Sequence, residues 1–218
     1  MNIQNWAENL TREVYEIWKS KYPRREGIKL FYSKVIKNPE LMIIGYQPGG
    51  NHVHFQNEDA DRFANGDFKV TLNEFLITNY RMANRMREFF EHRPKLLEKS
   101  VICPLIFFRA PNARSWRRWK HRKEVEEFCF SKTSGIINKL KPKHILVLGL
   151  GTYAHIKTFL KTANEKNIYL KNKSVGKRKV AIVAMAGNIK IFAMLHPTGS
   201  RISNEHRKQL RRHFFEWI

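Results

Sequence analysis

Short unbroken apolar runs, each followed by residues spaced for an amphipathic helix, constrain this chain more than any other feature. Leu41-Met42-Ile43-Ile44 ends in Gly45, and Val101 to Phe108 and Ile145-Leu146-Val147-Leu148 repeat the pattern further on. A strand with one wet face alternates apolar and polar residues; a continuous run is covered on both faces, as in a parallel sheet. The segments between supply the cover. Trp6, Leu10, Val14, Ile17 and Trp18 recur at helical spacing over residues 4–21, and Tyr22-Pro23 ends that helix. Thr71-Leu72-Asn73-Glu74 reads as a capping box opening a helix to Glu91 or His92, with Leu72, Phe75, Leu76, Ala83 and Met86 inward. Val125, Phe128, Ile136, Ile137 and Leu140 predict a helix from Lys123 to Leu140, and another spans Thr152 to Leu160. Val180–Met185 and Ile189–Leu195 read as a hairpin about Gly187-Asn188. A last helix begins near Ser203, with Leu210, Phe214, Trp217 and Ile218 on its apolar face. Residues 49–70, rich in Gly, Asn, His and Asp, are expected to form an irregular loop. With no repeat or linker, the expectation is one α/β domain over residues 1–218: a three-layer sandwich around a central, mostly parallel sheet.

Charge narrows the partner. Lys and Arg number 41 against 19 Asp and Glu, a net +22 with His neutral. A fold does not need such an excess, and self-repulsion opposes it; a polyanion, DNA first, is the simplest reason to keep it. The two cysteines, Cys103 and Cys129, form no CxxC or Cys/His cluster, which excludes a zinc or iron–sulfur site built on four cysteines. The N-terminal MNIQNWAENLTREVYEIW lacks the apolar stretch of a signal peptide, and no run approaches a membrane span. The expectation is a cytoplasmic monomer with reduced thiols, no membrane partner and no cofactor.

Ligands of open parallel sheets bind beyond the carboxyl ends of the strands, which selects four loops. The first, Gly45-Tyr46-Gln47-Pro48-Gly49-Gly50-Asn51, can bend sharply and bring backbone close to a ligand. The second, Arg109 to Lys123, interleaves Arg109, Arg114, Arg117 and Arg118 with Trp116 and Trp119; cations pair with phosphates while indoles stack on bases, and Asn112 adds a polar contact. The third, Gly149-Leu150-Gly151-Thr152-Tyr153-Ala154, matches a dinucleotide fingerprint. The acidic residue that motif wants about 20 positions later is missing, since Lys171-Asn172-Lys173-Ser174 stands there, so it reads as a tight strand-to-helix turn without a nucleotide cofactor. The fourth, His196-Pro197-Thr198-Gly199-Ser200-Arg201, holds a histidine at a strand end, where its ring can donate to a developing anion.

Taken in order, these landmarks resemble the uracil-DNA glycosylase superfamily. Gly45-Tyr46-Gln47-Pro48-Gly49 is similar to its first motif and His196-Pro197-Thr198-Gly199-Ser200-Arg201 to its last. Phe108-Arg109-Ala110-Pro111 and the stretch from Lys141-Pro142-Lys143 to Gly149 stand between, as in many members. The resemblance implies a four-stranded, mostly parallel sheet. It implies an enzyme that flips a nucleotide out of DNA and breaks its N-glycosidic bond to leave an abasic site. It gives His196 the hydrogen bond to the departing base and Ser200 and Arg201 the wedge into the duplex, with Thr198 beside them as a nucleic-acid contact. Tyr46, Pro48 and Gly49 then line the base site, and Phe55 and Phe63 bracket the place of the stacking ring.

The departures from that pattern shape the expectation. Gln47 stands where the family orients its water with an acid or amide; it can hold a water but cannot act as a base. Asn51, His52, Glu58, Asp59, Asp61 and Asp67 follow as possible substitutes, Asn51 nearest the turn. The base-reading asparagine of the second strand falls near Cys103 or Pro104, and neither can pair with a pyrimidine edge. The loop after His196 is about one residue longer than usual. The expected substrate is therefore a modified base other than plain uracil, in repair or anti-phage defence. The alternative is a catalytically inactive nucleic-acid-binding module on the same fold. A metal nuclease using His52 and His54 lacks a carboxylate spaced to join them.

Overall fold

The computed structural model describes residues 2–172, 176–199 and 202–218. In chain order the elements are α1 (Ile3–Lys21), β1 (Leu41–Gly45), α2 (His52–Phe55), α3 (Asp61–Ala64), α4 (Glu74–Ile77), α5 (Arg81–Phe89), α6 (Pro94–Glu98) and β2 (Val101–Pro104). Then follow α7 (Ala113–Arg117), α8 (Arg122–Leu140), β3 (His144–Leu148), α9 (Leu150–Phe159), β4 (Ala163–Asn172), β5 (Gly176–Ala186), β6 (Ile189–Met194) and α10 (Asn204–Trp217).

One mixed sheet of six strands runs in the order β2-β1-β3-β6-β5-β4. The pairings β2·β1, β1·β3 and β3·β6 are parallel, while β6·β5 and β5·β4 are antiparallel. Alternate residues of each strand feed two cores. Met42, Ile44, Ile145 and Val147 pack with Leu10, Val14, Ile136, Leu140, Tyr153 and Ile156 of α1, α8 and α9. Leu41, Ile43, Leu146 and Phe192 pack with Ala83, Met86, Phe89, Leu210 and Phe214 of α5 and α10. Burial on both faces explains the unbroken apolar runs, and each such side chain contributes roughly 1.5–3 kcal/mol.

Several expectations are corrected. The sheet has six strands rather than four: β5 and β6 form the expected hairpin, and β4 adds an edge that the polar sequence Ala163–Asn172 did not announce. Residues 52–64 are helical rather than irregular: α2 and α3 are joined by a π turn over Gln56–Ala60. Their anchors are aromatic, because Phe55 and Phe63 sink into the core against Trp18 and Tyr15. Gly27, at φ +101°, makes room for Phe55; a Cβ there would lie 2.1 Å from the ring. The helix expected from Thr71 to about Glu91 is two helices. Asn73, not the Thr71 box, caps the first by accepting from Phe75 N at 3.1 Å, and extended backbone at Thr78 separates α4 from α5. Leu72, placed inward by its spacing, is 59% exposed, and Leu76 also faces out. The second strand ends at Pro104 rather than Phe108, although Leu105 N and Ile106 N still bond to Gly45 O and Tyr46 O. The basic loop after it contains α7, capped by Asn112 Oδ1, which accepts from Arg114 N at 3.0 Å and Ser115 N at 2.9 Å.

Candidate functional site

Register sets the geometry of the carboxyl edge. Ile44 is level with Val147, Val147 with Ala193 and Leu148 with Met194, so Gly45, Leu148 and Met194 share one level across three parallel strands. Gln47 and His196 each lie two residues beyond that level. The β3 exit stands between the two strand ends, which are two strand spacings, about 10 Å, apart. At that exit Gly149, at φ +116°, turns the chain into α9; a Cβ would stand 3.0 Å from Thr152 Oγ1.

The loop after β6 fixes the state of His196. Its Nδ1 accepts the backbone N–H of Gly199 at 3.2 Å and of Thr198 at 3.4 Å, with Thr198 Oγ1 at 3.2 Å. A ring nitrogen that accepts carries no proton, so the neutral imidazole keeps its proton on Nε2. Burial lowers the His196 pKa, which favours that neutral form. The arrangement leaves Nε2–H as an uncharged donor. Beside it a cavity of about 210 Å³ opens at Pro197 between α5 and α10, floored by Phe89, Met194 and Leu210; neither His196 nor Gln47 lines it.

The loop after β1 is held by a carboxylate that sequence reading missed. Glu126 of α8 accepts three hydrogen bonds on one oxygen: Arg122 Nε at 2.8 Å, Tyr46 Oη at 2.9 Å and Trp116 Nε1 at 3.0 Å. Burial opposes its charge, yet those donors outweigh burial and hold its pKa below the usual range. The Tyr46 ring also stacks on His155, with centroids 5.7 Å apart, and burial followed by Glu126 pushes its phenol pKa up. Next to this anchored tyrosine, Gln47 has its Oε1 enclosed and without a hydrogen-bond partner among the described residues. Pro48 is buried and its carbonyl accepts Ala110 N at 3.4 Å, while Gly49 is exposed.

Arg109 is corrected from phosphate ligand to internal clamp. It is 3% exposed, gives one nitrogen to Gly49 O at 2.9 Å and another to Glu58, and lies 3.7 Å from Asp59. Lys29, equally buried, bonds Asp59 at 3.0 Å and also Glu74. Glu58 and Asp59 are thus spent on ion pairs, and Asp67 pairs with Arg62 at 3.1 Å. Asn51 is used as the cap of α2, accepting His54 N at 3.2 Å, with His54 Nδ1 2.7 Å from the same oxygen. His52 turns instead to Gln56, at 2.9 Å. Phe55 and Phe63, placed in the core, do not offer a ring to the edge. Cys103 and Pro104 are buried on β2, and burial pushes the Cys103 thiol up to about 12.

The basic segment divides in two. Arg114, Arg117 and Arg118 are exposed, as expected of phosphate ligands. Trp116, expected to stack on bases, is completely buried in the core, and its indole N–H donates to Glu126. Trp119 is half-buried against Tyr22, with the Arg25 guanidinium 4.7 Å from its ring. Thr198 is half-buried beside His196; Ser200 and Arg201 lie outside the described residues. No helix among the described residues is long and apolar enough to cross a membrane. No model of a known protein family matches the chain, and no curated protein matches it.

Proposed function

We propose that the chain is a DNA glycosylase, similar in plan to the uracil-DNA glycosylases, that flips a modified base out of DNA and hydrolyses its N-glycosidic bond. The observation that carries this reading is the His196 ring: neutral, locked by backbone N–H donors at Nδ1, with Nε2–H left to donate at the carboxyl edge. When the bond from C1′ to the base breaks, the electron pair leaves with the base and the sugar becomes cationic. A neutral donor that reaches the departing base stabilises that charge as it forms. Water supplies the oxygen that reaches C1′. Gln47 can orient that water through its side-chain amide, and the proton passes to solvent, since Glu58, Asp59 and Asp67 are held in ion pairs. The four parallel strands β2-β1-β3-β6, with the Gln47 and His196 loops at one edge, support the fold part of the reading.

A catalytically inactive nucleic-acid-binding module is the second reading. What favours it is that Glu58, Asp59 and Asp67 are all held in ion pairs and Gln47 carries no charge. One experiment separates the two: incubation with DNAs bearing uracil, hypoxanthine, hydroxymethylcytosine or its glucosylated form, scored by alkali-sensitive abasic sites. The proposal expects cleavage on at least one modified base and little on uracil, since buried Cys103 and Pro104 cannot read its edge. DNA bound without a single abasic site would leave the binding module.

A further inference from the structure

We infer that the β4–β5 ribbon is an arm that grips the DNA backbone beside the His196 loop. Its position comes from register. Ala181 of β5 is level with Met194, the last residue of β6, and Leu195 N still bonds to Val180 O at 2.9 Å. Beyond Val180, β5 has no further β6 partner but remains paired with β4, through Tyr169↔Lys179, Leu170↔Arg178 and Lys171↔Lys177. From Val180 to Gly176 the ribbon therefore rises about 13 Å past the sheet edge, on the side where the chain leaves β6 for His196.

The chemistry of the arm points to an anion. Lys171 and Lys177 face each other directly across the ladder, and Lys179 stands opposite the exposed ring of Tyr169. Like charges directly opposite one another weaken a strand pair, so the ribbon holds a cluster that is unfavourable until counter-charge arrives. Lys171, Lys177 and Lys179 are exposed, and none makes an ion pair among the described residues. The arm is also tethered: His206 at the start of α10 lies with Nε2 2.8 Å from Lys171 O, which joins it to the helix following the His196 loop. Phosphates along one DNA strand would cross this ladder while Tyr169 packs on a sugar or base. Lysines that merely protect the β4 edge from pairing are the competing explanation. They would account for Lys171 and leave unexplained why its direct partner on β5 is a lysine too.

The inference rests on the reading that the chain binds DNA, and its test keeps the two apart. Duplex binding is followed by fluorescence anisotropy across a salt series for the wild type, for the triple variant Lys171→Gln/Lys177→Gln/Lys179→Gln, and for Lys177→Glu alone. The triple variant is expected to bind about tenfold or more weakly at low salt, with the slope of log K against log salt shallower by roughly 2–3. Lys177→Glu places opposite charges across the ladder, so its melting temperature should rise while its DNA affinity falls. Unchanged affinity and slope in the triple variant would overturn the arm and leave DNA binding standing. No duplex binding by the wild type at low salt would overturn the DNA reading itself, and the arm with it.

Discussion

At the scale of single residues, His196 and Trp116 show how neighbours decide what a side chain does. His196 is held neutral, and this has a consequence for stability. Unfolded, the imidazole titrates near 6.5; folded, burial lowers its pKa. Between those two values the unfolded chain binds more protons, so this contribution is whole above 6.5 and is lost as pH falls through the folded pKa. Melting curves of wild type and His196→Asn from pH 8 to pH 5 should therefore converge as pH drops; parallel curves would deny the neutral state. Trp116 fills core space, so Trp116→Ala should destabilise by about 3–5 kcal/mol, or roughly 6–20 °C in Tm. Arg117→Ala with Arg118→Ala should instead leave Tm within a few degrees and weaken DNA binding. The sequence could not separate these neighbours. Trp116 bonds to a carboxylate 10 residues on, which is tied in turn to Tyr46, 80 residues away from it. Spacing within one segment carries no trace of such partners.

Among the elements, legibility followed burial. β1 and β3 were readable because both faces are covered and their runs are purely apolar; α1, α8 and α10 were readable because one stripe of each is. β4 was not, since at the edge its residues are mostly polar and only pairing with β5 defines it. The helical stretch from α2 to α3 was hidden for another reason. Its polar composition resembles a loop, and what orders it is the distant anchoring of Phe55, Phe63 and Asp59. The Glu126 hub joins α7, α8 and the β1 exit, and it is an element-scale device. Glu126→Ala leaves the Trp116 and Tyr46 donors without partners, at about 1–3 kcal/mol each. If the hub also positions the Gln47 loop, Glu126→Gln, which keeps an acceptor, should recover most of the stability and slow base release more than it weakens DNA binding. Equal losses in rate and binding, tracking Tm, would make the hub purely structural.

For the whole molecule the dominant facts are a +22 charge and a sheet that delivers its loops to one edge. If about five phosphates are neutralised, log K should fall against log salt with a slope near −4 to −5. A slope near zero would leave the charge without its proposed partner. The candidate site was legible in part: His196, Gln47 and the exposed arginines of α7 could be named from their strand ends, whereas Arg109 was misassigned because its carboxylate partners come from another segment. His196 is proposed to act on a departing base. The most direct test of that role is single-turnover base release by wild type and His196→Ala on whichever modified DNA is cut, with folding and DNA affinity measured alongside. The variant's rate is expected to be lower by roughly two to four orders of magnitude, with affinity nearly unchanged. A His196→Ala protein that releases the base at the wild-type rate would contradict it.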